Sequence, residues 1–396
     1  MFFKKVIFLF FISFYGCNTA QENPNKITII DYQELENQKS QIKTGDKKAL
    51  ENYQRLLKQA DTILDVGVFS VVHKKGIPPS KNKHDYMSIG PYWWPNPNTE
   101  NGLPYIRKDG EINPETRNNF TDYVEKNNFI SAVKILSKAY YISNERKYAD
   151  KGIQLISAWF LEDATKMNPN VNYGQYVPGK SEGRCFGILE IRGFIEVLKF
   201  LELAKDKNVL DKKTEEGMLN WFTEYADWLQ SSKLGKEELT RKNNHGTHYD
   251  IQLLNILIYL NRIDVVKKYL SIITKARIFQ QIEPDGSQPR ELARTKSYSY
   301  TVMNLGAFLE LAELGQKVGV NLWEMESKDG RSIKKAYQYM LPYLTQEKEW
   351  QQHQITNKKH SEDKLISNLK NIKRMFKDDS FDNALRFIEN KESYKK

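Results

Sequence analysis

Apolar residues recur at intervals of three and four along most of this chain, and this spacing limits the fold more than any other feature. From Ala49 onward the apolar positions are Leu50, Tyr53, Leu56, Leu57, Ala60, Ile63 and Leu64. Such a series forms one stripe along a helix. The spacing predicts further helices over residues 129–143, 147–161, 186–204, 214–230, 250–260, 263–275, 301–318, 331–344 and 361–389. The apolar–polar alternation of β-strands is rare.

The predicted helices come in pairs joined by loops, without a tight sequence repeat. A helix with one apolar face has to bury that face against its neighbours. A chain of 396 residues can form a large core in this way. We therefore predict an all-α fold, an (α/α) toroid built as an incomplete barrel of helical hairpins, with long loops forming a cleft. We place it over residues 49–346, between a polar tether (residues 18–48) and a charged C-terminal helical tail (residues 347–396).

The N-terminus has the features of an export signal. Lys4 and Lys5 precede an apolar run over residues 6–15, which is too short to span a bilayer, and Gly16-Cys17 follows. This ending predicts a signal peptide over residues 1–17 and a lipoprotein anchored through Cys17, in the periplasm or at the outer membrane. Phe14 and Tyr15 are bulky for that position, so an ordinary cleaved signal and a soluble periplasmic protein remain the alternative.

The number of cysteines and the net charge limit the kinds of metal site and partner that the chain can have. Cys17 and Cys185 are the chain's only cysteines, so we expect no internal disulfide and no cysteine-based metal site. The formal net charge of +10 favours a polyanionic partner: nucleic acid, an anionic membrane or an acidic glycan. An Arg-rich tail or nucleic-acid motif is missing, which argues against nucleic acid. A basic surface that serves only solubility is the alternative.

Three long loops, over residues 84–118, 167–185 and 283–300, are rich in Gly, Pro, Asn, Tyr and Trp. Long loops on a rigid scaffold are where sites tend to be built. The first two combine amides, a cation and aromatic rings, the composition that a sugar site requires. The residues concerned are Trp93, Trp94, Asn172, Tyr173, Gln175 and Arg184. Each could instead pack a loop against the helices.

Two further segments carry titratable groups. Asn244 and His245 stand at a predicted helix entrance, followed by His248 and Tyr249, and offer an amide donor beside an imidazole. A simple capping loop is the alternative. Arg290 and Arg294 are four residues apart and precede Tyr298 and Tyr300. An arginine near a tyrosine can lower the phenol pKa from about 10, unless the arginines instead pair with Glu283 or Glu291.

Four motifs in order, YWWPNP (residues 92–97), NYGQ (172–175), NNHGT (243–247) and DGSQPRELAR (285–294), resemble the alginate lyase superfamily of bacterial polysaccharide lyases. The resemblance extends from about residue 50 to 345. It implies an (α/α) toroid, an exported enzyme, a polyuronate substrate, and catalysis by Asn–His and Arg–Tyr groups without metal or other cofactor.

The resemblance assigns roles to single residues. Asn244 and His245 match the family's Asn–His pair, and Arg294 matches its arginine. The better known members have the tyrosine seven residues after that arginine, where this chain has Thr301. We select Tyr300 because members with a shorter gap have Trp at the Tyr298 position and Tyr at the later one. His248 stands where an aromatic residue is more usual.

β-Elimination explains why these residue types are needed. The C5 proton of a uronate is removable only if the C6 carboxylate is neutralised, which Asn244, Arg294 or a protonated Glu238 could do. His245 or a tyrosinate at Tyr300 takes the proton, and the Tyr300 phenol can protonate the leaving oxygen. The residues expected to bind substrate are Glu238, Asn172, Tyr173, Gln175, Arg184, His248, Tyr249, Arg290, Tyr298, Trp93 and Trp94.

Alternatives remain open at this stage. Alginate is the first choice of polymer, and glucuronan or another polyuronate is the second. A glycoside hydrolase would need two catalytic carboxylates, for which the candidates are Asp85, Asp250, Asp285 and Glu291. A non-catalytic glycan-binding lipoprotein would fit the signal and the aromatic loops equally well.

Overall fold

The computed structural model describes residues 27–375 and 379–393, so the predicted signal peptide and Cys17 lie outside the described residues. The fold within them is helical, and none of its helices is long and apolar enough to cross a bilayer. The helices are α1 (Tyr32–Lys43), α2 (Lys47–Leu64), α3 (Tyr123–Ser143), α4 (Arg146–Phe160), α5 (Ile195–Asp206), α6 (Lys212–Ser231), α7 (Lys233–Leu239), α8 (Asn244–Tyr259), α9 (Ile263–Tyr269), α10 (Lys275–Gln281), α11 (Pro289–Leu292), α12 (Ser297–Lys317), α13 (Ile333–Leu344), α14 (Lys359–Met375) and α15 (Asp379–Ser393).

The inner helices of the fold run parallel to one another. Beside α3 lies a 3₁₀ helix (Cys185–Phe194) that continues into α5. Contacts link Lys126 to the carbonyl of Glu190 (2.7 Å) and Lys134 to Glu196 (3.9 Å), in the same order along both helices. Helices α12 and α14 are likewise parallel, because contacts join residue 299 to 361 and residue 306 to 368. Helix α8 lies between α5 and α12.

Outer helices return the chain and cover this ring. Helix α4 packs against α3, α6 and α9 against α8, and α13 against α12. Their apolar stripes meet the inner helices in an aromatic-rich core, in which Phe129 stacks on Trp159 at 4.7 Å and Phe160 lies edge-on to Trp221 at 4.6 Å. This alternation of inner and outer helices confirms the predicted (α/α) toroid.

Parallel inner helices place their N-termini at one end of the toroid. At the opposite end Lys317 contacts the carbonyl of Thr28 (2.9 Å), and Glu202 accepts the N–H groups of Ile29 and Ile30. The N-terminal end carries the positive ends of several helix dipoles, which favours anionic groups there.

The long loops fold over that same end in two small sheets. Strand β1 (Met87–Ile89) pairs in parallel with β4 (Tyr173–Tyr176), and β2 (Trp93–Trp94) pairs antiparallel with β3 (Ile106–Arg107). Beyond β2, the N–H of Tyr105 donates to the carbonyl of Pro178 at 3.1 Å. The first two long loops are therefore joined above the helix ends.

Several boundaries differ from the sequence expectation. The expected tether contains α1, whose polar sequence has no buried residue and so no apolar signal. The expected C-terminal tail contains α14, which packs on α12 through Leu365, Leu369 and Ile372. The apolar spacing predicted a helix over residues 361–389, but its charged sequence led us to assign it to the tail instead of the toroid. A π-helical turn (Leu270–Thr274) joins α9 to α10.

Candidate active site

The N-terminus of α8 brings an amide and an imidazole to the loop-covered end of the toroid. Asn243 is extended, and helical geometry begins at Asn244. The carboxylate of Glu291 accepts both the backbone N–H of Asn244 (2.6 Å) and its side-chain Nδ2 (2.8 Å). An anion at a helix N-terminus is favourable, and here it also fixes the amide. Burial raises the pKa of Glu291, although both hydrogen bonds from Asn244 oppose the rise.

Gly246 explains how this helix start can lie so close to its support. A Cβ at this position would meet the carbonyl of Arg241 and a guanidinium nitrogen of Arg277, each at 2.1 Å. Any larger residue would push the first turn of α8 away from α7 and α10. The glycine after His245 is therefore required by close approach of the backbone.

His245 is held from behind by a buried carboxylate. Its Nδ1 lies 2.6 Å from Oε1 of Glu238, which is fully buried on α7, and its ring meets the edge of Phe186 at 4.6 Å. This contact leaves Nε2 as the nitrogen that can serve a substrate. The expectation that Glu238 binds substrate is not what the structure shows, because α7 packs beneath α8 and places this side chain behind the imidazole.

Tyr300 is contacted on its hydroxyl and on its ring. Its hydroxyl lies 2.6 Å from that of Tyr92, which belongs to the first long loop. The guanidinium of Arg294 lies 3.8 Å from the centre of its ring. The structure thus places Arg294 beside Tyr300, six residues along the chain, at the start of α12.

The pKa of Tyr300 moves in the direction opposite to the sequence expectation. Burial raises it well above the usual value of about 10. The neighbouring Tyr92 adds to the rise, and the charge of Arg294 offsets only part of it. Tyr300 is therefore a neutral phenol in this site, because desolvation outweighs the nearby cation.

Arg294 pairs with an aspartate that the sequence analysis did not consider. Its Nε and Nη2 donate to Asp109 at 3.1 and 2.8 Å. Burial alone would raise the pKa of Asp109, but Arg294 and the nearby Arg107 lower it to about 2. The pairing differs from the Glu283 or Glu291 alternative, because β3 carries Asp109 back over α12.

Arg184 contacts Phe186, the ring that lies edge-on to His245. Its guanidinium lies 4.2 Å from the ring centre of Phe186 and 5.6 Å from that of Trp93. Nη1 is buried and has no hydrogen-bond partner in the described part of the chain. Burial lowers the pKa of Arg184 to about 10. A buried donor without a partner is uncommon, and one close to Phe186 and His245 is a candidate for binding an anionic substrate group.

The other expected binding residues on loops lie around the same end. Tyr173 and Gln175 are half-buried on β4, where the Gln175 N–H donates to Ser88 (2.7 Å). Asn172 is exposed and accepts a hydrogen bond from Trp228 (3.0 Å). Trp94 donates to the carbonyl of Glu111, and Arg290 is exposed on α11.

Three expected binding residues point into the fold instead. Tyr249 is buried and donates to the carbonyl of Leu229 (2.9 Å). Tyr298 is fully buried with its ring 5.0 Å from Trp350. His248 is buried inside the ring of helices, and burial lowers its pKa well below the usual value. A helix rotates by about 100° per residue, so neighbours of a site residue need not face the site.

The four carboxylates considered for a hydrolase all have structural partners. Asp85 accepts from Ser80 and Asn168, Asp250 pairs with Arg277, Asp285 caps its own turn, and Glu291 binds Asn244. A hydrolase needs two carboxyl groups facing each other across the scissile bond. These four are committed elsewhere, which argues against that chemistry.

The sequence analysis missed Asp109 and Phe186 and did not select Tyr92. Tyr92 and Asp109 stand in the first long loop, and Phe186 follows Arg184, so all three were close to segments that had been singled out. Their roles depend on contacts with α8, with α12 and with the segment just before α12, all of which are more than 50 residues away in the chain. The composition of a loop indicates that a site is nearby, but it does not show which residues of the loop reach that site.

Comparison with known proteins gives a consistent result. A sequence model of the alginate lyase family matches residues 70–350. An alginate lyase structure from Bacteroides ovatus is 36% identical, with a TM-score of 0.84, over 91% of this chain and 93% of that one. Alginate lyase A1-III from Sphingomonas species A1 is 15% identical, with a TM-score of 0.51, over 81% of this chain and 78% of that one. A histidine variant of A1-III complexed with a tetrasaccharide is 14% identical, with a TM-score of 0.52, over 82% of this chain and 79% of that one. These two distant likenesses concern the fold alone. No curated protein sequence matches the chain.

Proposed function

The chain belongs to the alginate lyase family, and on that premise we propose that it cleaves alginate by β-elimination with His245 as the base and Tyr300 as the acid. As a polysaccharide lyase it breaks the bond between C4 of a uronate and its glycosidic oxygen. The observation that carries the residue roles is the hydrogen bond between Glu238 and His245 Nδ1, because it orients the imidazole with Nε2 available. The neutral phenol of Tyr300 complements it as a proton donor.

The reaction can be written so that protons and electrons balance. Nε2 of His245 removes the proton from C5, and the electron pair of that bond forms the C4=C5 double bond. The C4–O bond breaks, and the leaving oxygen takes the phenolic proton of Tyr300. The products are a new chain end with a free hydroxyl and a 4,5-unsaturated uronate. Proton return from imidazolium to phenolate, through solvent, restores the enzyme.

The uronate carboxylate has to be neutralised while C5 loses its proton. Asn244 supports this role because Glu291 occupies one Nδ2 hydrogen and leaves the other for a ligand. Arg184 supplies a positive charge through Nη1, which has no partner among the described residues. Such charge-assisted hydrogen bonds in a partly buried site stabilise the developing dianion more than they would in water.

The roles of His245 and Tyr300 predict a stereochemical preference. A separate base and acid suit sugars whose C5 proton and C4 oxygen lie on opposite faces of the ring, as in guluronate and galacturonate. In mannuronate and glucuronate both lie on the same face, and a single group would have to serve as base and acid. We therefore expect the guluronate blocks of alginate to be cut fastest.

Export belongs to the same proposal. The export signal over residues 1–17 supports a periplasmic or outer-membrane location, with Cys17 as the point of lipid attachment. An acidic polymer such as alginate would be met in that compartment. Labelling of Cys17 by a fatty acid in the producing cell, absent in Cys17→Ser, tests the anchor.

The function is tested by ultraviolet absorbance of the mature protein with polyguluronate, polymannuronate, glucuronan and polygalacturonate. The conjugated double bond made by elimination absorbs, and hydrolysis products do not. We expect a rise with polyguluronate. A rise with polymannuronate but not polyguluronate would contradict the assignment of base and acid while leaving the lyase intact. A flat trace with all four polymers would overturn the function.

A further inference from the structure

A single hairpin holds Tyr300 at two points. Strands β2 and β3 form this β2–β3 hairpin, with Tyr92 directly before β2 and Asp109 two residues after β3. Tyr92 contacts the hydroxyl of Tyr300, and Asp109 holds the guanidinium that lies on its ring. The N–H of Lys108 donates to the carbonyl of Tyr92 at 2.9 Å, so the two contacts are fixed relative to each other.

Asp109 occupies the edge of Arg294 that would otherwise bind a carboxylate. Arginine recognises a carboxylate best through two parallel N–H groups, and Nε and Nη2 form such a pair. Both donate to Asp109. Asp109 is itself held by Arg107 (2.5 Å) and by the hydroxyl of Thr295 (3.1 Å). A substrate carboxylate could use that edge only by displacing an aspartate with several partners.

We propose that Asp109 is a positioning residue that fixes Arg294 flat against the Tyr300 ring and reserves this cation for Tyr300 instead of the uronate carboxylate. The inference rests on the proposed function, and it changes the part that the family resemblance gave to Arg294. Tyr300 gains negative charge as it gives its proton to the leaving oxygen. A guanidinium 3.8 Å from the ring stabilises that charge at the moment of bond breaking.

A competing interpretation has the opposite kinetic signature. If Asp109 were a stand-in for the substrate carboxylate, the polymer would have to displace it. Removing it would then free Arg294 for substrate, and KM would fall while kcat stayed level or rose. If Asp109 instead acts through Tyr300, its loss lowers kcat and leaves KM nearly unchanged, because the lost interaction exists only in the transition state.

The test is steady-state kinetics of Asp109→Asn on the polymer that the wild-type enzyme cuts best. We expect kcat to fall by about tenfold or more, with KM within about twofold of wild type. Asp109→Glu keeps a carboxylate and should recover part of the lost kcat. An unchanged kcat, a lower KM without loss of kcat, or Glu no better than Asn would each overturn the proposal.

Thr295→Val is the matched control for hairpin anchoring. The Thr295 hydroxyl donates to the carbonyl of Asp109 (3.0 Å) and to its carboxylate, so valine loosens the same hairpin at constant volume. It leaves the pair between Asp109 and Arg294 in place, and we expect its kcat within about threefold of wild type. A loss as large as that of Asp109→Asn would show that anchoring alone matters, and would overturn the proposal. Absence of turnover in the wild-type enzyme would instead refute the proposed function.

Discussion

Single hydrogen bonds decide which atom of the candidate site can react. His245 has two ring nitrogens, and a carboxylate on Nδ1 favours the tautomer with the proton there. Glu238 is fully buried and lies 2.6 Å from Nδ1, so Nε2 keeps its lone pair and can take the C5 proton in the mechanism that we propose. In the proposed mechanism the same carboxylate would stabilise the imidazolium that forms when the proton is taken, as the aspartate does in a serine protease triad.

Glu238→Gln tests this role at constant size. The amide can turn its NH₂ toward Nδ1, which would favour the tautomer whose Nε2 already carries a proton. We expect kcat to fall by about 100-fold or more, with a smaller change in KM. Glu237→Gln is the control, because Glu237 is the neighbouring residue on α7 and makes an exposed pair with Arg241. Glu238→Gln with wild-type kcat would exclude His245 as the base.

The structure brings together those expected site residues that are already close along the chain. Asn244 and His245 are adjacent, and Arg294 and Tyr300 are six residues apart, so a motif records each pair. Asp109 reaches Arg294 only because a hairpin folds back over α12, and no local pattern records that contact. The reverse error affected Tyr249 and Tyr298, which are close in sequence to site residues but rotate into the core on their helices.

At the scale of elements, one buried ion pair supports the helix start that carries the site. Asp250 on α8 accepts from Nε (2.7 Å) and Nη2 (2.8 Å) of Arg277 on α10. The same guanidinium donates to the carbonyl of Leu239, the last residue of α7, and to that of Arg241 in the turn before α8. Arg277 thereby ties three helices together just beneath Glu238 and His245.

Breaking this pair should cost stability. Asp250→Asn leaves a buried guanidinium without its counter-charge, and we expect the free energy of unfolding to fall by about 3–5 kcal/mol. Urea unfolding followed by circular dichroism measures it. Asp329→Asn removes the aspartate of an exposed Asp–Arg pair with Arg331 and should leave the midpoint nearly unchanged. Equal midpoints for Asp250→Asn and wild type would show that the pair does not hold these helices.

At the scale of the whole molecule, the spacing of apolar residues determines the helical fold. The topology determines which end of the toroid carries the N-termini of the inner helices. Periodicity predicted most of the helices from α2 onward and their alternation in a toroid, because each helix buries one apolar stripe, but it did not predict the short helices α7, α10 and α11. It did not predict α14 as part of the inner ring, since its sequence is strongly charged. The inner helices are parallel and their N-termini meet at the site. This arrangement is a property of the whole toroid and cannot be read from any single segment.

The charge of the molecule fits this arrangement. A net charge of +10 and helix N-termini at one end both favour an anionic polymer there. The three long loops cover the same end, and they carry Tyr92, Arg184 and Arg294. Sequence composition therefore indicated the class of substrate, while the fold was needed to show that cations, dipoles and acid–base groups share one location.

The most direct test of the account compares Tyr300→Phe with Tyr298→Phe in the absorbance assay on the polymer that wild type cuts. Both changes remove one hydroxyl, and the Tyr298 hydroxyl is buried without a hydrogen-bond partner among the described residues. We predict that Tyr300→Phe lowers kcat by about 10²–10⁴-fold while Tyr298→Phe stays near wild type. An active Tyr300→Phe beside an inactive Tyr298→Phe would contradict the account.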